Sequence, residues 1–247
     1  MDMIPSLDFK KRTMNNLILQ IDTSTSVCSV ALSKNGRTLE VINLDEPNAH
    51  AAKLTVLMER LMHEAGCTFS QLSAIAVSMG PGSYTGLRIG VSTAKGLCYG
   101  LDIPLVAVNT LETLFWGYRE QFGLLDNEVY IPMIDARRME VYGAIYNDRA
   151  ELIKDTSAEI INESHYDALL NTYQRIHLFG SGADKFDELF RGMDHIVVHK
   201  KFKNSAAFLS ELAFNKFRLK QFEDVAYFEP FYLKDFIVTA AKKKVGL

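Results

Sequence analysis

The stretch Gly80-Pro81-Gly82-Ser83-Tyr84-Thr85-Gly86-Leu87-Arg88-Ile89-Gly90 constrains this chain more than any other. The apolar run Ala74-Ile75-Ala76-Val77 before it reads as a buried strand, and Leu87 to Tyr99 after it reads as a helix. A strand, a glycine turn and a helix start is a usual ligand-binding place in an α/β protein. Gly80 and Gly82 permit close backbone approach, and Pro81 fixes the turn between them. Thr85 is the predicted N-cap, followed by N–H groups suited to an anion. Neither familiar phosphate pattern fits. No Gly-Lys-Ser or Gly-Lys-Thr follows, and Thr85 stands where the third glycine of G-x-G-x-x-G belongs. Gly86, Gly90 and Ala94 recur every four residues and share one helix face. Two glycines near a helix start cost about 1 kcal/mol each against alanine. That cost implies close packing on this face, by the chain's own sheet, by a partner, or around an anion.

Read in order, Leu17 to Asp22 is a central strand, Thr23-Ser24-Thr25-Ser26 a hydroxyl-rich turn, and Val27 to Leu32 a second strand. Asn35-Gly36 is a hairpin turn leading to a third strand, Thr38 to Leu44. Three antiparallel strands opened by an acid and a hydroxyl-rich turn resemble the start of the actin and sugar-kinase superfamily, where that turn lies near ATP phosphates. Asp22 alternatively only caps its own turn through Asx-type bonds. Ala49 to Ala65 is an amphipathic helix with Leu54, Leu57, Met58, Leu61, Met62 and Ala65 on one side, Asn48 as its cap and Gly66 as its end. Gly100 is expected to end the next helix, and Ile103 to Val108 is another strand. In the second half, Tyr130 to Asp135 and Glu140 to Tyr146 form a hairpin around Ala136-Arg137-Arg138. Ile176 to Gly180 is a strand, Ser181 to Asp184 leads into a helix, Asp194 to His199 is a strand, and Asn204 to Gln221 is a helix. No repeat of 20–50 residues is visible.

The 247 residues, 48% hydrophobic and 23% charged, are enough for one large domain or two lobes. A net charge of −3 gives no basic excess, so any RNA role is expected to be indirect. Cys28, Cys67 and Cys98, odd in number and without a C-x-x-C, point to reduced thiols in a cytoplasm. No apolar run has the roughly 18 residues of a membrane helix. Residues 1–14 read as an extension, non-native or disordered; either Met14 is the natural start or residues 1–13 are dispensable.

Few constellations carry chemistry. His195 and His199 have the spacing of a helical metal pair, but Ile196-Val197-Val198 makes the segment a strand. Along a strand the imidazoles stand about 13 Å apart, at roughly 3.3 Å per residue, too far for one zinc ion. Asp135, Arg137, Arg138 and Glu140 form a charged turn, a solvated hairpin or a partner or anion site. His50 is a surface or capping histidine, or a ligand. No G-x-S-x-G elbow is present, and no catalytic set emerges.

Ile21-Asp22-Thr23-Ser24-Thr25 with Cys28-Ser29-Val30-Ala31-Leu32, His50, the glycine stretch, Val108-Asn109-Thr110-Leu111-Glu112, Ile134 to Tyr142, and Pro230-Phe231-Tyr232-Leu233-Lys234-Asp235 together resemble the TsaB (YeaZ) family of the glycoprotease/ASKHA superfamily. The resemblance covers about Met14 to Asp235. It implies an α/β, actin-like ASKHA fold of two lobes, each a mixed sheet flanked by helices. The expected lobes are 15–108, with a returning segment at about 222–240, and 109–221. The implied function is that of a cytoplasmic, non-catalytic scaffold for TsaD, which transfers threonylcarbamoyl to the tRNA adenosine beside the anticodon. TsaE joins the pair, tRNA is met indirectly, and the chain alone forms a homodimer. The implied partner surface comprises His50, Leu54, Leu57, Leu61, Gly86, Arg88, Gly90, Ala94 and Leu97. TsaD carries an H-x-x-x-H metal pair whose positions fall on Thr110 and Leu114, so no metal is expected; nor is a cofactor, weak ATP or ADP binding aside. The alternatives are a nucleotide hydrolase or kinase binding at Asp22, Thr23, Ser24, Thr25, Gly80, Gly82 and Ser83, and a metal-dependent peptidase.

Overall fold

The computed structural model describes residues 16–46 and 49–234. The extension at 1–14, the Asn48 cap, Asp235 and the rest of the returning tail lie outside the described residues. In chain order the elements are β1 (Leu17–Asp22), β2 (Cys28–Lys34), β3 (Arg37–Leu44), α1 (His50–Glu64), β4 (Leu72–Gly80), α2 (Tyr84–Leu101), β5 (Leu105–Asn109), α3 (Thr110–Phe122), β6 (Glu128–Asp135), β7 (Glu140–Asn147), β8 (Leu152–Ile160), α4 (Asp167–Leu170), β9 (Arg175–Phe179), β10 (Ile196–His199) and α5 (Ser210–Arg218), with short 3-10 turns between some of them.

The strands form two five-stranded sheets, β3-β2-β1-β4-β5 and β8-β7-β6-β9-β10. In each, the first three strands pair antiparallel and the last two add in parallel. The second sheet therefore repeats the path of the first. The central strands β1 and β6 even end alike, in Ile21-Asp22 and Ile134-Asp135. This doubled mixed sheet is the actin-like ASKHA fold. The repeat is one of chain path, not of sequence.

Both faces of the first sheet are apolar and both are covered. Leu19, Ile21, Val30 and Ile75 meet α1 and α2 on one side. On the other, Ile18, Ala74, Ala76, Val106 and Val108 meet Leu209, Leu212 and Ala213. The cover of that second face thus begins near residue 206, ahead of the segment expected to return at about 222, because the face is apolar. The tail continues as a strap. Glu223 N donates to Leu105 O at 2.9 Å, and Phe231 N to Met79 O at 2.8 Å. Lys95 Nζ holds the carbonyls of Ala226 and Phe228 at 3.2 and 2.9 Å. Lys234 then pairs with Glu140 of β7, so the strap ties the two lobes together.

Other differences have local causes. Ser83, not Thr85, caps α2: it is extended, and its Oγ accepts from Gly86 N at 3.3 Å. α2 runs past Gly100 and ends at Asp102, which takes the left-handed turn at φ 52°. The expected helix at 204–221 is a 3-10 turn, Ala206–Leu209, followed by the shorter α5. The helix expected after Asp184 is only a 3-10 turn, Asp184–Phe186. α3, α4 and β8 had no counterpart in the sequence reading. α3 closes the second lobe through Leu111, Leu114, Phe115 and Tyr118.

Candidate functional site

The glycine stretch and the Asp22 turn do meet, at the carboxyl ends of the adjacent parallel strands β1 and β4. They satisfy most of each other's polar groups, although Asn204 Oδ1 beside Asp22 is buried without a hydrogen-bond partner. Asp22 is fully buried; its Oδ1 accepts from Ser24 N at 2.9 Å and Ser24 Oγ at 2.6 Å. Its Oδ2 faces Asn204 Nδ2 at 3.5 Å. Burial pushes the Asp22 carboxyl above its ordinary range, against the Ser24 bonds that pull it down. Ser83 N donates to Ser24 O at 2.7 Å. Thr23 Oγ1 donates to Gly86 O at 2.7 Å, and Thr25 Oγ1 accepts from Val27 N at 3.4 Å. A Cβ on Gly82 would collide with Ser24, and one on Gly80 with Phe231 O of the strap. The cradle predicted from Asp22, Thr23, Ser24, Thr25, Gly80, Gly82 and Ser83 is thus a closed junction, with Asp22 capping its own turn.

The stripe of Gly86, Gly90 and Ala94 faces inward. A Cβ on Gly86 would strike Thr23 O, and one on Gly90 would strike Thr23 Oγ1; Ala94 is buried in the first core. The close packing that the glycines signal is packing on the chain's own β1. Leu54, Leu57 and Leu61 are likewise buried beneath α1. These six cannot present side chains to a partner, because the sheet already holds them. Of the remaining candidates, Arg88 is exposed, and His50 and Leu97 are half-buried. His50 Nε2 sits 3.4 Å from Val27 O. The face that α1 and α2 turn outward carries Val56, Arg88, Ser92, Gly96, Tyr99 and Gly100. Tyr99 is 86% exposed, and a Cβ on Gly96 or Gly100 would meet nothing within 4 Å. Ser92, Gly96 and Gly100 are a second small-residue row, on the helix face opposite the first.

Thr110 opens α3 and is fully buried. Its Oγ1 lies 2.8 Å from Ser78 Oγ and accepts from Gly80 N at 3.1 Å. Leu114, one turn on, is buried, and a Cβ on Gly180 would strike it. A hydroxyl tied to the glycine loop and an alkyl group in an aromatic core do not fit a catalytic metal. Among the described residues no trio of His, Cys, Asp and Glu is placed to hold a metal ion.

The second lobe holds a buried polar cluster that no spacing along the sequence announces. His177 Nε2 lies 2.6 Å from Glu128 Oε2, and His177 Nδ1 lies 2.8 Å from His199 Nε2. Tyr118 OH is 2.9 Å from the same His199 atom. His195 points elsewhere and lines an open cleft of about 420 Å³ with Arg175 and Tyr173.

The family described as TsaD, tRNA N6-adenosine threonylcarbamoyltransferase, matches residues 46–241. The chain belongs to the TsaB/YeaZ family, a branch of these TsaD-related glycoprotease-like proteins. It is 36% identical over 129 residues to the tRNA threonylcarbamoyladenosine biosynthesis protein TsaB of Escherichia coli, a match covering 52% of this chain and 54% of that protein. With the TsaB of Bacillus subtilis it shares 38% over 138 residues, 56% of this chain and 58% of that protein. These matches thus span little more than half of each relative. The TsaB of Buchnera aphidicola is 27% identical over 226 residues, 90% of this chain and all of that protein. Among solved structures, YeaZ from Pseudomonas aeruginosa superimposes with a TM-score of 0.73 at 29% identity, over 88% of this chain and 100% of that one.

Proposed function

We propose that this chain serves tRNA threonylcarbamoyladenosine synthesis as a non-catalytic scaffold for TsaD. The observation that carries the reading is the state of Thr110 and Leu114. The two positions that hold metal in the catalytic paralogue carry here a hydroxyl bonded to Ser78 and Gly80 and a buried alkyl group. What remains is the fold and its surfaces. The junction at Asp22 speaks against a nucleotide hydrolase, since the hydroxyls of Thr23 and Ser24 already donate within the chain, to Gly86 O and to Asp22 Oδ1.

The partner surface we assign is the outward face of α1 and α2. Its second small-residue row lets another helix approach closely around Tyr99, and Val56 adds apolar area. TsaD docks on this face in the heterodimer, and a second copy of the chain docks on it when TsaD is absent. TsaE then joins the pair, and tRNA reaches the active site on TsaD.

The test is tRNA threonylcarbamoylation in vitro with TsaD, TsaE and the enzyme that supplies threonylcarbamoyl-AMP, with and without this chain. Modification is expected only when the chain is present, and none when TsaD is omitted. Equal modification without the chain would overturn the reading. Gly96→Leu should abolish the heterodimer on size exclusion, while the isolated chain, diluted until it is monomeric, keeps its melting temperature.

A further inference from the structure

The turn between β6 and β7 has a charge arrangement that the scaffold role does not explain. Asp135 at the end of β6 is held by Lys185 Nζ at 2.6 Å. The same ammonium donates to Arg138 O at 2.8 Å and Glu140 O at 2.6 Å. Glu140 is paired with Lys234 of the strap. Both acids of the turn are therefore neutralised by lysines. Two charges are left over, Arg137 and Arg138, side by side at the exposed tip. Neither guanidinium makes a hydrogen bond or ion pair among the described residues.

The backbone here is strained. Arg137 has φ 73° and Arg138 φ 52°, two successive left-handed residues without a glycine. Such conformations cost about 1–3 kcal/mol each and persist where the surroundings enforce them. Lys185 provides that enforcement, with Asp135 Oδ1 accepting from Arg137 N at 3.0 Å. The tip also stands at the carboxyl end of the parallel pair β6 and β9, the end of an α/β sheet that receives ligands. Next to it, Ser181 Oγ accepts from Asp135 N at 3.3 Å, which leaves its own proton to donate.

We propose that this tip is a phosphate contact: Arg137 and Arg138 grip the phosphodiester backbone of an RNA, with the Ser181 hydroxyl as a third donor. The proposal rests on the role in tRNA modification argued above and adds to it a direct RNA contact made by this chain. Planar guanidiniums suit phosphate oxygens through paired donors. An acidic chain as a whole is compatible with such a contact, because the field at the tip is set by the two unpaired arginines.

The test uses the assembled complex of the full chain with TsaD, and reads tRNA affinity by fluorescence anisotropy between 50 and 300 mM salt. The double variant Arg137→Ala, Arg138→Ala should weaken binding about tenfold at low salt. It should also lower the slope of log affinity against log salt by about 1–2, at roughly 0.7–0.9 per phosphate contact. Arg137→Lys with Arg138→Lys should keep most of that slope. Arg137→Gly should raise the unfolding midpoint of the isolated chain while lowering tRNA affinity, since the strain serves binding. Unchanged affinity and slope in an alanine complex that still assembles would overturn the inference and leave the scaffold reading standing. A wild-type chain dispensable for modification would instead overturn the scaffold reading.

Discussion

Nδ1 of His177 and Nε2 of His199 lie 2.8 Å apart inside the second lobe, on the neighbouring parallel strands β9 and β10. One proton can lie between them. Glu128 takes the other nitrogen of His177 at 2.6 Å, so His177 donates from Nε2 and accepts at Nδ1. A second proton between them would make His177 a cation and point two N–H groups at each other.

The pair gives a pH prediction. Burial pushes His199 down to about 4, with His177 adding to the effect. Burial also lowers His177, against the pull of Glu128, with Arg175 lowering it further. Tyr118 and Tyr130 flank the site as neutral rings. The unfolded chain binds protons below about pH 6.5, before the native state does. The stability contributed by neutral His199 is therefore present above pH 6.5 and lost as the pH falls toward 4, by about 2 kcal/mol. Urea unfolding between pH 7.5 and 4.5 should show this loss, and His199→Gln should flatten the curve. A parallel curve in the variant would assign the acid sensitivity to other groups.

Gly90 and Gly96 should respond oppositely to the same change. Gly90→Ala drives a methyl group into Thr23 Oγ1 and should cost about 1–3 kcal/mol. In the monomer Gly96→Ala meets open space within a helix and should add up to about 1 kcal/mol at concentrations too low for self-association. Thermal unfolding of the two variants decides it; a neutral Gly90→Ala would mean that β1 yields easily.

At Asp22 the shape of the substituent should matter more than its charge. Asp22→Ala strands the Ser24 N–H and hydroxyl in a buried site and should cost about 2–4 kcal/mol. Asp22→Asn keeps an acceptor and should cost less than about 1 kcal/mol at pH 7. The sign with pH follows from the raised carboxyl. Its contribution is present below the unfolded pKa and is lost as pH rises through the folded value. Asn should therefore gain on Asp at neutral pH. Melting curves at pH 5 and 8 test this, and equal losses in both variants would contradict it.

The thiols should divide one against two. Burial pushes Cys28 up to about 11 and Cys98 up to about 12, and both are buried, whereas Cys67 is partly exposed. The thiolate is the reactive form. Native protein treated with a chromogenic disulfide at pH 8 should release one fast equivalent, absent in Cys67→Ser. Three fast equivalents would mean that the first core opens readily.

Much of this architecture is legible in the chain because apolar periodicity and turn residues mark it. Strands β1 to β7, α1 and α2 appear within a few residues of their places. β8 was missed because Lys154-Asp155-Thr156-Ser157 lacks the alternation of a half-buried strand; it is an edge strand, largely exposed or half-buried. α3 had an unused signal: Asn109 Oδ1 accepts from Leu111 N at 2.8 Å and Glu112 N at 3.4 Å, the cap that Asn-x-x-Glu announces. The glycine stripe reported correctly that a backbone comes close, but spacing along a helix does not say from which side. The same limit applies to His199. Its distance from His195 along the strand could be reckoned, while His177 becomes its neighbour only through the pairing of β9 with β10.

The cover of the first sheet comes from the far end of the chain, and this sets an order on the ribosome. Ile18, Ala74, Ala76, Val106 and Val108 emerge early, while Leu209, Leu212 and Ala213, which shield them, emerge only after the whole second sheet. During that interval the nascent chain displays a bare aliphatic plane. A message cut short within the second half would release a protein with this plane permanently open, a substrate for chaperones and proteases even though the glycine loop and the Asp22 turn had already been made.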